Sequence, residues 1–200
     1  MTLRAVIFDL GGVILDSPLE AISAFERRHG IPRGTVNGLV VGSGDAGAWA
    51  RHERGEVDRE TFLTAFAAEF TAIGVDVDTG ELMDAVDASI RVRPRMLRSV
   101  DRLRRRGLKT AALTNNWKPF GESGLIEHFD VVVESVVEGT RKPERRIYEI
   151  CLERLGVEAS ECVMFDDLGP NLKPARAMGM TTVKVTSAHQ ARAALESLFA

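Results

Sequence analysis

The stretch Arg4-Ala5-Val6-Ile7-Phe8-Asp9-Leu10-Gly11-Gly12-Val13-Ile14-Leu15-Asp16 decides how the rest of the chain is read. Ala5 to Phe8 is a short, unbroken apolar run containing Val and Ile, with a glycine pair soon after it. Such a run predicts a strand buried on both faces, as in a parallel sheet. The run stops on a carboxylate. Asp9 is therefore expected at the carboxyl edge, where open α/β sheets take ligands. Gly11 and Gly12 allow the backbone to turn sharply or approach a ligand closely. In that place Asp9 has three readings: a nucleophile, a metal ligand, or a carboxylate that caps the next turn.

Downstream, Ser17 is a candidate cap for a helix with Pro18 at its first position, running through Leu19, Ile22, Ala24 and Phe25 to near Gly30. Ile31 to Asp45 reads as a Gly-rich connector. Helical patterns follow around Ala46 to Arg54, Asp58 to Ile73 and Thr79 to Arg91, with Asp58 or Thr61 starting the second. Nothing between Ser17 and Arg91 reads as a strand. Residues 17–91 are thus expected to form a helical insert in an α/β core made of residues 1–16 and 92–200. From Pro94 a helix runs to Arg106 and stops at Gly107. Strands are then expected at Lys109–Leu113, Val131–Val133, Cys162–Phe165 and Thr181–Val185. Helices alternate with them: one after Lys142-Pro143 through Ile147, Tyr148, Cys151 and Leu155 to Gly156, then Asn171–Met178 and Ala188–Phe199. This alternation predicts right-handed crossovers and an α/β fold with a doubly wound parallel sheet.

The composition narrows the function classes. Hydrophobic residues make up 44% of 200, enough for a buried core, yet no apolar run is long enough to span a bilayer. Met1 leads straight into the first strand without signal-peptide anatomy. Cys151 and Cys162 lie in apolar contexts without CxxC spacing, so buried reduced thiols and a cytoplasmic location are expected. The net charge of −3 gives no reason to expect a nucleic-acid partner. The one basic run, Arg91 to Arg106, alternates with Met96, Leu97, Val100 and Leu103 and reads as a solvated helix face.

Four strand ends finish on polar residues: Asp9; Thr114-Asn115; the Glu134 loop leading to Lys142; and Asp166-Asp167. In a parallel sheet these tips converge on one edge. Each residue alone is ordinary turn chemistry; together they put carboxylates close enough to repel unless a cation sits among them. Hard oxygen ligands with open positions suit Mg²⁺. Thr114, Asn115 and Lys142 suit an anion with several oxygens. The set describes phosphoryl transfer from a substrate to Asp9.

With these motifs assembled, the chain resembles the haloacid dehalogenase superfamily. Within it, the sequence is similar to the phosphatase domain at the N-terminus of mammalian soluble epoxide hydrolase and its stand-alone bacterial relatives. The resemblance rests on Phe8-Asp9-Leu10-Gly11-Gly12-Val13, Leu113-Thr114-Asn115-Asn116-Trp117, Arg141-Lys142-Pro143-Glu144, and Phe165-Asp166-Asp167-Leu168-Gly169-Pro170-Asn171 with Leu172 to Arg176. It implies Asp9 as nucleophile through an aspartyl-phosphate, Thr114 and Asn115 on the phosphate oxygens, and Lys142 neutralising charge. It implies Mg²⁺ held by Asp9, the Gly11 carbonyl, Asp166 and Asp167, with Asn171 ordering the metal's water shell. The substrate class it implies is a small phosphorylated metabolite, selected by residues 17–91 acting as a cap. Pairing of two copies into a homodimer is compatible with it. No residues follow the last helix that would form an epoxide-hydrolysing domain, so epoxide hydrolysis is not expected.

One position departs from the family. Active phosphatases of this type have a second Asp two residues after the nucleophile, where this chain has Gly11. The acid that protonates the leaving group is missing, an effect of ~10²–10⁴-fold in general acid–base catalysis. Good leaving groups, or a substitute proton carrier such as Asp16, His52 or Glu53, would compensate. A dehalogenase using Asp9, and a weakened phosphometabolite-binding module, are the alternatives. His29, His128 and His189 sit at helix ends or loops and read as solvated. Trp49, Phe62 and Phe66 have core spacing, and Trp117 is expected to face the insert.

Overall fold

The computed structural model describes residues 2–121 and 124–200, so Met1 lies outside the described residues. Five parallel strands form one sheet: β1 (Ala5–Phe8), β2 (Lys109–Thr114), β3 (Val131–Glu134), β4 (Cys162–Asp166) and β5 (Thr181–Lys184), in the order β3-β2-β1-β4-β5. β1 is the central strand, and all four of its residues are fully buried. Side chains alternate across a strand. Val6 and Phe8 accordingly enter one hydrophobic cluster, and Ala5 and Ile7 enter another on the opposite face. The doubly wound parallel sheet expected from the sequence is therefore present.

The helices are α1 (Pro18–Arg28), α2 (Thr35–Ser43), α3 (Ala48–Glu53), α4 (Arg59–Ala72), α5 (Thr79–Ser89), α6 (Pro94–Arg105), α7 (Ser135–Glu138), α8 (Arg145–Leu155), α9 (Gly169–Ala177) and α10 (Ala188–Leu198). Helices α6 and α10 cover one face of the sheet, while α8 and α9 cover the other. Met96, Val100 and Leu103 of α6 are buried, and Arg95, Arg98, Arg102 and Arg105 lie on its solvated face. Both cysteines are free and buried. Burial pushes both thiols above their ordinary range, Cys162 to about 12, which makes them poor nucleophiles. Among the described residues no helix is long and apolar enough to cross a membrane.

Helices α1 to α5 share a third hydrophobic cluster of their own, built on Phe25, Trp49, Phe62, Phe66, Phe70, Leu82 and Met83. Trp49, Phe62 and Phe66 pack edge-on or stacked within it, in keeping with their spacing. Asp58, rather than Thr61, starts α4: its side chain accepts the Thr61 N–H. Ser17 precedes α1 but makes no side-chain cap bond; its hydroxyl donates to Asp167 instead, at 3.5 Å.

The Gly-rich connector expected at Ile31 to Asp45 is corrected: its middle is the helix α2. Gly38 and Gly42 lower its intrinsic helicity by about 1 kcal/mol each. Packing and a distant cap offset this. Val36 is fully buried, with Leu39 and Val40 partly buried against the same cluster. The buried Glu26 of α1 accepts the Gly34 N–H at 2.8 Å with one oxygen and the Val36 N–H at 2.9 Å with the other. Replacing Glu26 with Ala leaves both donors without this partner, and the expected loss is about 1–3 kcal/mol of unfolding free energy. Urea denaturation measures it; a loss below about 0.5 kcal/mol would overturn the capping role.

Candidate active site

Strand register brings the chemistry together. Phe8 is level with Phe165 and with Ala112, so Asp9, Asp166-Asp167 and Thr114 emerge at one edge of the sheet. Asp9 Oδ1 accepts the Leu10 N–H at 2.7 Å and lies 2.7 Å from the Lys142 ammonium. The same ammonium donates to Asp166 Oδ2 at 2.8 Å. Asp166 also accepts from the Leu168 N–H at 2.8 Å and from the Asn171 amide at 3.2 Å. Asn171 is held in turn by Tyr148, whose hydroxyl donates to the Asn171 carbonyl at 2.6 Å. Asp166 is 0% exposed and Lys142 1%, so this pair is shut off from solvent, while Asp9 keeps a small exposed surface.

Ligand atoms of Asp9, Asp166 and Asp167 lie within 4.8 Å of one another. One ammonium faces three carboxylates. Burial opposes the charge on Lys142, but Asp166 and then Asp9 outweigh it and hold the lysine protonated far above its ordinary range. Burial, reinforced by Asp166, pushes Asp9 up to about 8 against the pull of Lys142, and pushes Asp167 up to about 6. The cluster is short of positive charge. Clustered carboxylate oxygens of this kind fit a divalent cation such as Mg²⁺.

The two neighbouring glycines differ in what they permit. Gly12 has φ +72°, and a Cβ there would lie 2.1 Å from Asp167 Oδ2. Its carbonyl accepts from Arg93, which also pairs with Asp16 at 3.0 Å. Gly11 has an extended backbone (φ −62°, ψ 131°), and a Cβ there would meet only Pro18 Cδ at 3.6 Å, an ordinary contact.

Thr114 is buried at the tip of β2. The Asn115 carboxamide fixes the main chain of Lys142. Its Oδ1 accepts the Lys142 N–H at 2.8 Å, and its Nδ2 donates to the Lys142 carbonyl at 3.0 Å. Glu134 turns away from the cluster, accepting from Asn116 at 2.7 Å and from the Phe120 N–H at 2.8 Å. Of the three named proton carriers, Asp16 is paired with Arg93. Glu53 is paired with Arg141 at 2.6 Å and also accepts from Asn115. His52 is buried with Nδ1 against the Val57 carbonyl and Nε2 unpartnered. Burial lowers its pKa and keeps it neutral. His29 and His189 are exposed, and His128 is half-buried beside Asp101. Trp117 does face the helical segment: it packs edge-on to Trp49 and its indole N–H donates to Asp87. Nothing in the sequence marks Arg141 as a partner of Glu53, because the two are 88 positions apart.

The model of the haloacid dehalogenase-like hydrolases matches residues 3–179. The chain belongs to that family. Among its relatives, mouse acyl-CoA dehydrogenase family member 10 is 39% identical over 98% of this chain and 19% of its own length. Pig bifunctional epoxide hydrolase 2 is 31% identical over 99% of this chain and 39% of its own length. The chain thus spans well under half of either protein. Phosphatase MT3486 of Mycobacterium tuberculosis is 30% identical over 96% of this chain and 91% of its own. The fold matches that of a predicted HAD-like family hydrolase from Porphyromonas gingivalis, with a TM-score of 0.70 at 20% identity over 99% and 98% of the two chains. It also matches a HAD family enzyme from Bacteroides thetaiotaomicron solved with magnesium and inorganic phosphate, with a TM-score of 0.63 at 17% identity over 92% and 95%. The resemblance drawn from the motifs therefore holds.

Gly12→Ala is expected to displace Asp167 as well as to strain the backbone, at about 1–3 kcal/mol for a non-Gly residue in this region. Thermal melts with and without MgCl₂ test it: the variant should melt lower and lose most of any Mg²⁺-induced rise. An unchanged Mg²⁺ response would show that Asp167 does not depend on this close approach.

Proposed function

We propose that this hydrolase is a Mg²⁺-dependent phosphatase acting on a small phosphorylated metabolite. The observation that supports it most is the buried Lys142 ammonium bridging Asp9 and Asp166 beside the third carboxylate of Asp167. Asp9 attacks phosphorus; the bond to the leaving oxygen breaks, and an aspartyl-phosphate forms. Water then cleaves it, releasing phosphate and regenerating the carboxylate. Lys142 and the Leu10 N–H both anchor Oδ1 of the Asp9 carboxylate. Thr114, Lys142 and the main-chain N–H of Asn115 would receive the phosphate oxygens, because both hydrogens of the Asn115 carboxamide are already donated to the Lys142 carbonyl and Glu53. Asp9, Asp166, Asp167 and the Gly11 carbonyl would hold the metal, with Asn171 ordering its water. When bound, Mg²⁺ supplies charge screening for the phosphoryl oxygens and the carboxylates. Residues 17–91 serve as the cap over this edge.

p-Nitrophenyl phosphate with MgCl₂ tests the reading. Release should require Mg²⁺, and Asp9→Asn should lower kcat by more than about 10³-fold, as loss of a nucleophile does. Activity that survives EDTA, or survives Asp9→Asn, would overturn it. EDTA-resistant halide release from a 2-haloacid would instead favour the dehalogenase chemistry that Gly11 permits. Stabilisation by inorganic phosphate without turnover would mark a binding module.

The missing acid makes a second prediction. Wild type should turn over aryl phosphates faster than simple alkyl phosphates, because a good leaving group needs no proton in the transition state. A Cβ at Gly11 meets only an ordinary contact, and Gly11→Asp should raise kcat on alkyl phosphates by about tenfold or more while changing aryl turnover little. Equal wild-type rates on the two classes would sink this account.

A further inference from the structure

Two adjacent residues at the end of α3, Glu53 and Arg54, have opposite charges, and so do the two residues that bracket Lys142-Pro143, Arg141 and Glu144. The pairs match crosswise. Arg141 Nε donates to Glu53 Oε2 at 2.6 Å, and Arg54 donates to Glu144 Oε1 at 3.1 Å. The two interactions fall on either side of the lysine that bridges Asp9 and Asp166. Neither pair is a loose surface contact: the side chains are 9% and 16% exposed in the first pair, and 12% and 31% in the second.

The groups around them are equally engaged. Glu53 also accepts from the Trp49 indole at 2.9 Å and from Asn115 Nδ2 at 3.2 Å. Asn115 holds both main-chain polar groups of Lys142. The other Glu144 oxygen accepts the Thr140 hydroxyl at 2.7 Å, which ties the loop before the lysine to the start of α8. Immediately after Arg54, Gly55 adopts φ +69°; a Cβ there would lie 2.7 Å from the Val136 carbonyl in α7. The end of α3 therefore fits onto the core by charge, by hydrogen bonds and by close backbone approach, all within a few residues of Lys142.

We infer that Glu53 and Arg54 are positioning residues: they clamp the end of α3 onto the Lys142 loop and couple the seating of the helical segment to the placement of Lys142 and Asn115. With α3 withdrawn, Asn115 loses its acceptor on Glu53, and the loop from Thr140 to Glu144 loses both of its crosswise partners. The phosphate-binding groups are then held less tightly just when the site is open to solvent. Seating α3 restores them together.

The test inverts the Arg54–Glu144 pair, which does not touch Asn115 directly. Arg54→Glu, Glu144→Arg and the double variant are compared with wild type, in the full chain with MgCl₂. One readout is tryptophan emission. The chain has two tryptophans, Trp49 and Trp117, in edge contact at this seam, so opening it shifts emission to the red. The other readout is kcat and KM on p-nitrophenyl phosphate, well below the melting temperature of every variant. Each single reversal should shift the emission and lower kcat by about tenfold with a smaller change in KM, and the double reversal should recover part of both. The remainder reflects the bonds of Arg54 to Glu56 and the Asp45 carbonyl and of Glu144 to Thr140, which it does not restore. Gly55→Ala should open the same seam without changing any charge, through backbone strain at φ +69° and contact with the Val136 carbonyl, and reproduce the shift. The kinetic arm rests on the phosphatase reading, but the emission arm does not. A wild type without turnover would sink that reading and leave the clamp to be judged by emission. A double variant no better than the singles in emission would overturn the clamp. So would kcat values unchanged across the series in an active enzyme.

Discussion

A protonated lysine buried between carboxylates is the constraint on which the rest of this structure depends. Taking such charges out of water is costly, and removing one partner leaves the others uncompensated. The fold is therefore committed to keeping Asp9, Asp166 and Lys142 in register. It does so with its most rigid parts. Asp9 and Asp166 come from β1 and β4, neighbouring parallel strands aligned Phe8 to Phe165. Lys142 comes from a loop, and loops are the mobile part of most proteins. Here its main chain is locked by Asn115 at the end of β2. The sheet supplies precision, and one carboxamide passes it on to the loop.

What the sequence made legible follows from the range of the interactions involved. β1 could be read from four residues, because a strand buried on both faces has no polar positions to blur the pattern. The clustering of Asp9, Asp166 and Asp167 was legible because parallel strands carry their polar ends to a common edge. α2 was not, since its glycines argue against a helix and the group that caps it, Glu26, belongs to another element. Asn115 was legible as one of the polar residues at the strand ends, whereas the hold of its carboxamide on the Lys142 main chain was not. The partnership of Glu53 with Arg141 left no local trace, because charge complementarity between residues 88 positions apart has no periodicity to detect.

The glycine pair shows how neighbouring residues of one type differ in physical role. At Gly12 both the backbone angle and the nearness of Asp167 exclude a side chain. At Gly11 neither does. The absence of a side chain at Gly11 is thus not imposed by the space around it.

The chain leaves the sheet after β1 and returns to it before α6 through two segments that lie side by side. Leu15 and Val92 form an antiparallel bridge; the Asp16 N–H donates to the Arg91 carbonyl at 2.9 Å, and the Arg93 N–H donates to the Ile14 carbonyl at 2.9 Å. Everything between them is, topologically, a closed loop whose ends are already joined. The entropy of closing such a loop grows only as the logarithm of its length. The core would thus see nearly the same boundary whether the loop held five helices or a short turn. Stitching the two crossings together makes this point of the fold a socket, able to accept inserts of very different size without disturbing the sheet beneath.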